Sequence, residues 1–408
     1  PLRLGQRPRE LAIPSGIEQQ TSPAGESSAP AASAAALSLG FEALPDNDLV
    51  IPPDTMGAVG PDHLMVMLNS EVRVQDKTGG VFSTVALDTF WTAATGLSGD
   101  PFDPKLIYDT LSERWIATVD ANPRSTSSEV WLAISDDSDP TGAWTFYSFP
   151  AKTTSGPPIW ADYPGLGTNA AWIAITNNMF RTSGGFAGVK MWVIDKQSAL
   201  AGGALNVTLF EPGFDNVQQV DGFVMQPAVT FDPEEASLYL VDNSGWSSNG
   251  VFLLRLSRIT GTGAAPSWAP VNGGPFPGTG LFPVANNFSY QQIDAAQLGS
   301  ATRVETNDPR VLNAVYRNGR LWCTHTGALP ANSVDRTAVF WYELAPDLLA
   351  AIDDPLVQSG VIDGGADVHH LFPSIAVNQS GDAAIGFSRS DATRYVEAVF
   401  TGRHNTDP

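Results

Sequence analysis

Three aspartates in this chain, Asp54, Asp103 and Asp162, stand just ahead of apolar runs and recur at corresponding places in repeated phrases. Carboxylates gathered in this way can ligate calcium, or act as acid and base on a glycosidic bond. Crowding raises at least one of their pKa values, as general acid work at neutral pH requires. An aspartate ahead of a strand also caps turns, so a structural role stands beside the chemical one. Tyr163, next to Asp162, offers a ring for a sugar face or a phenol as a base. His325, His369 and His370 are three of only five histidines. They could serve proton transfer or bind a transition metal, although neighbours on a strand point to opposite faces. Arg310 and Arg389 could hold a carboxylate such as that of a uronic acid. The catalytic candidates are Asp162, Asp103, Tyr163 and His370. The substrate-binding candidates are Asp54, Asn177, Gln226, Asn243, Arg310, His325 and Arg389. No cofactor is identified by the sequence; calcium is the one that Asp54, Asp103 and Asp162 could hold.

A repeated β unit must position these groups. DPKLIYDTLSERWIATVDA, from Asp103, continues into SEVWLAISDDSDPTGAWTFYSF from Ser128. YPGLGTNAAWIAITNNMF, from Tyr163, continues into GVKMWVIDK from Gly188. Each unit opens with an apolar strand, turns at Gly, Asn or Asp, and continues into strands rich in aromatic and β-branched residues. NG in YRNGRLW and SG in NQSGDAA are hairpin signals. Helical periodicity is nearly absent; PDLLAAI, from Pro346, is an exception. Six such units, one every roughly 50–60 residues, read as four-stranded blades. The expected fold is all-β, a six-bladed β-propeller, with seven blades as the alternative. The sixth unit supplies only three strands, and SLGFEAL near Leu37 is the strand expected to complete it and remove an open edge. Loops before the first strand and after the second strand of each blade gather around the axial mouth, which is the default ligand site.

The bulk numbers fit one large β structure. The chain has 408 residues, 43% of them hydrophobic, with 38 Gly and 31 Pro. No apolar run reaches the ~18 residues that a membrane span needs. A formal net charge of -21 disfavours nucleic acid and anionic lipid as partners. Cys323 is the one cysteine, so no intrachain disulfide forms and stability comes from packing. Residues 1–36 are small, polar and Pro-interrupted and read as a flexible segment or linker; residues 37–408 form the propeller body. Within it, residues 261–307 read as an insertion rich in Gly, Pro and Asn. A start without Met and a cysteine-poor body fit a secreted bacterial product, extracellular or periplasmic.

Several phrases carry a family resemblance: PPDTMGAVGPDHL from Pro52, DPKLIYD with Arg114–Trp115, SDPTGAW from Ser138, ADYPGLG from Ala161, DPRVLNAVYRNGRLW from Asp308 and FPSIAVNQSGDAAIGFSRS from Phe372. Together they resemble secreted bacterial β-propeller proteins labelled sialidase-like or BNR-repeat-like. The resemblance covers most of residues 50–403 and implies a propeller. SDPTGAW is similar to the Asp-box turn of sialidases, a structural hairpin remote from their active sites. The chain holds one good copy and no arginine triad, so the resemblance implies no sialidase activity.

Two functions follow. One is a glycan-binding or glycan-processing protein, acting on an acidic polysaccharide by hydrolysis or β-elimination. In it Asp162 and Asp103 are acid and base, Tyr163 the platform and Arg389 the clamp. The other is a non-catalytic scaffold that engages a cell-surface partner.

Overall fold

The computed structural model describes residues 39–407 apart from positions 46, 94, 153–155, 212–222, 247–251, 274–275, 277, 285–287, 290 and 348–353. The expected linker, residues 1–36, lies outside the described residues. So do residues 37–38 at the start of the expected closing strand. The body divides into two compact units: Leu37–Leu238 with Thr260–Ser267, and Tyr239–Ile259 with Trp268–Pro408. Both are all-β, and the pattern is propeller-like, with antiparallel meanders succeeding one another along the chain.

The first unit holds three such sheets. The first is β1 (Met56–Val59), β2 (His63–Met67), β3 (Glu71–Asp76) and β4 (Val81–Ala86), paired in chain order. The second is β5 (Pro101–Asp109), β6 (Arg114–Ala121), β7 (Glu129–Ser135) and β8 (Trp144–Pro150), again in chain order. The third is β9 (Ile159–Thr168), β10 (Trp172–Arg181), β11 (Phe186–Asp195) and β12 (Val207–Phe210). Short strands β13 (Gln226–Pro227) and β14 (Val229–Thr230) follow, and β14 runs parallel to β9. Helices α1 (Leu87–Thr92) and α2 (Lys196–Leu200) occupy connections. No described helix is long and apolar enough to cross a membrane.

Alternation along β6 and β7 explains why these sheets stack. Trp115, Ala117, Val119 and Trp131 pack with Met65, Val74 and Trp91 on one side. Ile116, Leu132 and Ile134 pack with Ile173, Ile175, Trp192 and Ile194 on the other. A strand buried on both faces reads as a continuous apolar run because both points of its period-2 alternation meet a core. Gly165 and Gly167 on β9 permit a close approach. A Cβ at Gly165 would lie 2.4 Å from Thr176 Oγ1, and one at Gly167 would lie 2.5 Å from the Ala228 carbonyl oxygen. A buried ion pair also ties the second sheet to the third: Lys196, at the start of α2, meets the Asp109 carboxylate and donates to the Asn169 carbonyl at 2.6 Å.

In the second unit β15 (Leu238–Trp246) neighbours β16 (Phe252–Thr262), which turns at 263–264 into β17 (Ala265–Pro270). β18 (Leu281–Val284) also pairs with β16. The expected insertion at 261–307 is therefore shorter than its composition implied. Residues 261–262 and 265–270 belong to regular strands, and the excursion begins only afterwards, carrying β18 and the hairpin of β19 (Ala295–Gln297) and β20 (Ser300–Val304). A four-stranded meander follows: β21 (Val311–Arg317), β22 (Arg320–Leu329), β23 (Arg336–Leu344) and β24 (Leu356–Ile362). The NG hairpin signal is met at its first turn, where Asn318 and Gly319 have φ of 55° and 72° between the paired Arg317 and Arg320.

The last sheet has three strands, β25 (His369–Val377), β26 (Ala383–Asp391) and β27 (Arg394–Arg403). The strand expected near Leu37 does not complete it among the described residues. Residues 39–44 form no strand; Ala43 and Glu42 instead offer their carbonyls to Arg73 and Gln75 on β3. With Gly40 and several small neighbours, this segment has too little β-branched content to hold a ladder on its own.

Candidate functional site

The first unit brings the three recurrent aspartates together by one repeated backbone device. Asp54, Asp103 and Tyr163 all adopt left-handed φ, at 45°, 52° and 57°. Asp103 and Tyr163 are each followed by proline, and each sits where the ladder skips: between Phe102 and Lys105 on β5, and opposite Thr176–Asn178 on β9. Proline donates nothing to the ladder, and the bulge re-aims the side chain at the strand entrance. Phe372, before Pro373 on β25, repeats the device at φ 52° with a skip between Leu371 and Ser374.

Asn69, after β2, fixes the first two carboxyls. Its Nδ2 donates to Asp54 Oδ2 at 2.6 Å and to the Pro52 carbonyl at 3.0 Å, while its Oδ1 accepts the Asp103 backbone N–H at 2.6 Å. Asp103 Oδ2 in turn accepts the Tyr163 backbone N–H at 3.3 Å. The Asp103 carboxyl lies near enough to that of Asp54 to feel its charge. Desolvation, then the charges of Asp54 and Asp162, hold its pKa well above the ordinary carboxylate range. Asp120, at the end of β6, is fully buried and accepts both oxygens' bonds from Asn177 Nδ2, at 2.6 and 2.7 Å. Burial first, then the nearby charge of Asp162, pushes its pKa well up, while Asn177 and Lys105 pull the other way. Lys105 lies 4.6 Å from the centre of the Tyr163 ring and 3.7 Å from Met56 Sδ. Asp54, Asp103, Asp162, Tyr163 and Lys105 are all half-buried, so the cluster keeps an open side.

This arrangement sets a carboxyl whose neutral form is favoured beside other carboxyls, with an aromatic face adjacent, and such a carboxyl can donate a proton to a bound oxygen. Among the described residues no group of three or more His, Cys, Asp or Glu is placed to hold a metal ion. Asp54 meets Asn69 through its carboxylate, and Asp103 meets it through its backbone N–H.

The other sequence candidates occupy different surroundings. Gln226 is buried on β13, with Nε2 on the Pro227 carbonyl at 3.1 Å. Asn243 donates to the Pro309 carbonyl, and Asn178 Oδ1 accepts the Val224 N–H at 3.0 Å. These amides fasten the end of a second strand to the entrance of the next meander, as Asn69 does. In the second unit, Arg310 clasps Asp308 through Nε at 2.7 Å and Nη2 at 2.6 Å. Arg389 pairs with Glu397 through Nε and Nη2, both at 2.9 Å. His325 is 0% exposed, stacked 5.3 Å from Phe340 and 5.6 Å from Tyr342, with Nε2 3.1 Å from the Tyr342 hydroxyl. Desolvation lowers its pKa to about 4. His369 and His370 are also buried, against Thr337 and the Ile362 carbonyl respectively, and burial lowers both pKa values. The three imidazoles are thus core groups with partners of their own.

Sequence reading passed over Asp120 and Lys105. A signal for the site was present: Asp103, Tyr163, Gln226, Asp308 and Phe372 each precede a proline at the entrance to a meander.

No protein-family model matches the chain, and no curated protein matches it. Among solved structures it is similar to a subtype N10 neuraminidase-like protein of A/little yellow-shouldered bat/Guatemala, at 10% identity and TM-score 0.43 over 86% of this chain and 95% of that one. It is also similar to a GH43 endo-arabinanase from Bacillus licheniformis, at 13% identity and TM-score 0.37 over 86% and 92% of the two chains. An apocarotenoid oxygenase of Synechocystis gives 10% identity and TM-score 0.44 over 85% and 68%. At these identities and scores the likenesses carry no argument about chemistry.

Proposed function

We propose that the chain binds and processes a carbohydrate at the acidic cluster of its first unit, and that its successive meanders are the blades of a six-bladed propeller working outside the cell. The observation that carries the functional reading is the placement of the Asp103 carboxyl, which accepts the Tyr163 N–H beside the Asp54 carboxyl held by Asn69, where burial and the charges of Asp54 and Asp162 favour its neutral form. In this reading Asp103 gives its proton to the glycosidic oxygen as the bond to the anomeric carbon breaks. A water adds to that carbon and passes its proton to Asp162. The half-buried Tyr163 ring stacks on a sugar face, and Asp54 keeps the Asp103 proton in place in the ground state. Arg389 and Arg310, which would have clamped a carboxylate, have no part here, because each is already bound to an acidic neighbour.

A scaffold reading has one observation in its favour: Asp103 and Asn69 also brace the backbone. A glycan array followed by product analysis separates the two. The enzyme reading expects a bound glycan and shortened products, both lost in Asp103→Asn. No sugar bound and no change in that variant would leave the scaffold.

A further inference from the structure

We propose that the uncovered face of the last sheet, β25–β27, is an interface between two copies of this chain. The inference goes beyond the carbohydrate reading and stands apart from it. Along β25 and β26 burial alternates. Leu371, Ile375, Val377, Ile385 and Phe387 are buried, while Phe372, Ser374, Ala376, Ala384 and Gly386 are exposed. The buried side is fastened to the preceding meander, where the Asn313 side chain on β21 exchanges hydrogen bonds with the Ile375 backbone at 2.8 and 3.0 Å. The exposed side continues across β27 with Val396, Ala398 and Phe400. Both faces of β6 and β7 meet a core, whereas this sheet is apolar on both faces and meets a core on one. Phe372, Val396 and Phe400 are 43%, 43% and 50% exposed. An apolar face left open over a whole sheet marks an interaction surface.

Shape, charge and area name a second copy as the occupant. The cross-strand register sets Ser374, Gly386 and Phe400 in one row and Ser388 and Ala398 in the next, with Phe372 beside them. The rings thus stand on the two outer strands and small residues on the middle one. A twofold axis along β26 turns each β27 over the partner's β25. Phe400 of each copy then covers the partner's Ser374, and Phe372 covers the partner's Ala398. These side chains are uncharged, and Glu397 beside them is engaged by Arg389 and Arg394. A chain of net charge -21 repels its own kind over most of its surface and meets it at least cost across a neutral face. A cationic partner would seek carboxylates that this face lacks. Strands of 9, 9 and 10 residues, at about 3.3 Å per residue and 4.8 Å between strands, form a patch of roughly 30 by 14 Å. Two such patches bury on the order of 1,000 Å², the threshold for specific association, which suits a reversible dimer with a Kd of about 10 μM.

Sedimentation equilibrium of the whole chain tests this, from about 1 to 200 μM protein and at about 0.05 and 0.5 M salt. A monomer–dimer equilibrium is expected, about three-fold tighter or more at the higher salt, which screens the repulsion between acidic chains. Phe400→Asp and, separately, Ala384→Glu on the middle strand should each weaken the dimer about ten-fold or more. Both positions are exposed, so the thermal unfolding midpoint of the monomer should not move. Phe82→Asp, at a 57% exposed ring on β4, should leave the dimer intact. A monomer at every concentration overturns the proposal, as does a dimer that salt weakens. So does a dimer that loses nothing to Ala384→Glu, as edge-to-edge pairing through β27 would, or one that Phe82→Asp breaks equally, as general apolar association would.

Discussion

Asp103 in the first unit and His325 in the second make an instructive pair. Each is a titratable group at the start of a meander, Asp103 near the entrance of β5 and His325 midway along β22 opposite the first residue of β21, and desolvation is the leading cause of each shift. The carboxyl is pushed up and the imidazole down to about 4, each towards its neutral form. Their neighbours differ. Asp103 is half-buried among Asp54, Asp162 and Asn69, whereas His325 is sealed between Phe340 and Tyr342. Burial alone makes a neutral group. A group suited to proton transfer needs in addition an open side and a second polar group to answer it.

The largest effect that would break this contrast is on turnover. Once a substrate is in hand, Asp103→Asn should lower kcat by about 10²–10⁴, while His325→Gln leaves it within about two-fold; equal losses would remove the distinction. Stability comes next. Lys196→Met leaves Asp109 buried without its cation and should cost about 3–5 kcal/mol in urea unfolding, whereas Arg389→Ala, at an exposed pair, should leave the midpoint unchanged.

The pH dependence should then take opposite signs. The folded pKa of His325 lies below its unfolded value of 6.5, so its contribution is whole above that pH and is lost as pH falls towards about 4. The loss is on the order of 3 kcal/mol and should vanish in His325→Phe. For Asp103 and Asp120 the folded pKa is raised above 3.8, so stability is lost as pH climbs from that value. Asp120→Asn should flatten this limb of the unfolding curve. The smallest effect belongs to the amide fasteners: Asn69→Ala should cost about 1 kcal/mol and also lower turnover, because Asp54 and Asp103 lose a shared support. Asn243→Ala should cost a similar amount with turnover intact.

The repeat of strand and turn was plain in the sequence because β6 and β7 bury both faces and spell continuous apolar runs. Asp54, Asp103 and Asp162 could be paired from their equivalent places in the repeat, since the bulged entrance comes with a proline in β5 and β9. Asp120 was hidden inside the apolar run of β6, where nothing local distinguishes a buried acid from a strand's polar end. The burial of His325 and His370 was hidden for a related reason. Their burial is decided by Phe340, Tyr342 and Phe387, which arrive from other strands. The start of the excursion after β16 was set too early because Gly261 and Gly263 mark a hairpin turn within regular strands.

The most direct test is the titration of the Asp103 side-chain carboxyl, followed by carbon NMR on aspartate-labelled protein and assigned by comparison with Asp103→Asn. The resonance should titrate well above the ordinary carboxylate range and move down when Asp54→Asn removes the neighbouring charge. A carboxyl that ionises in the ordinary range, unmoved by the loss of Asp54, would contradict the coupled carboxyls on which the site depends.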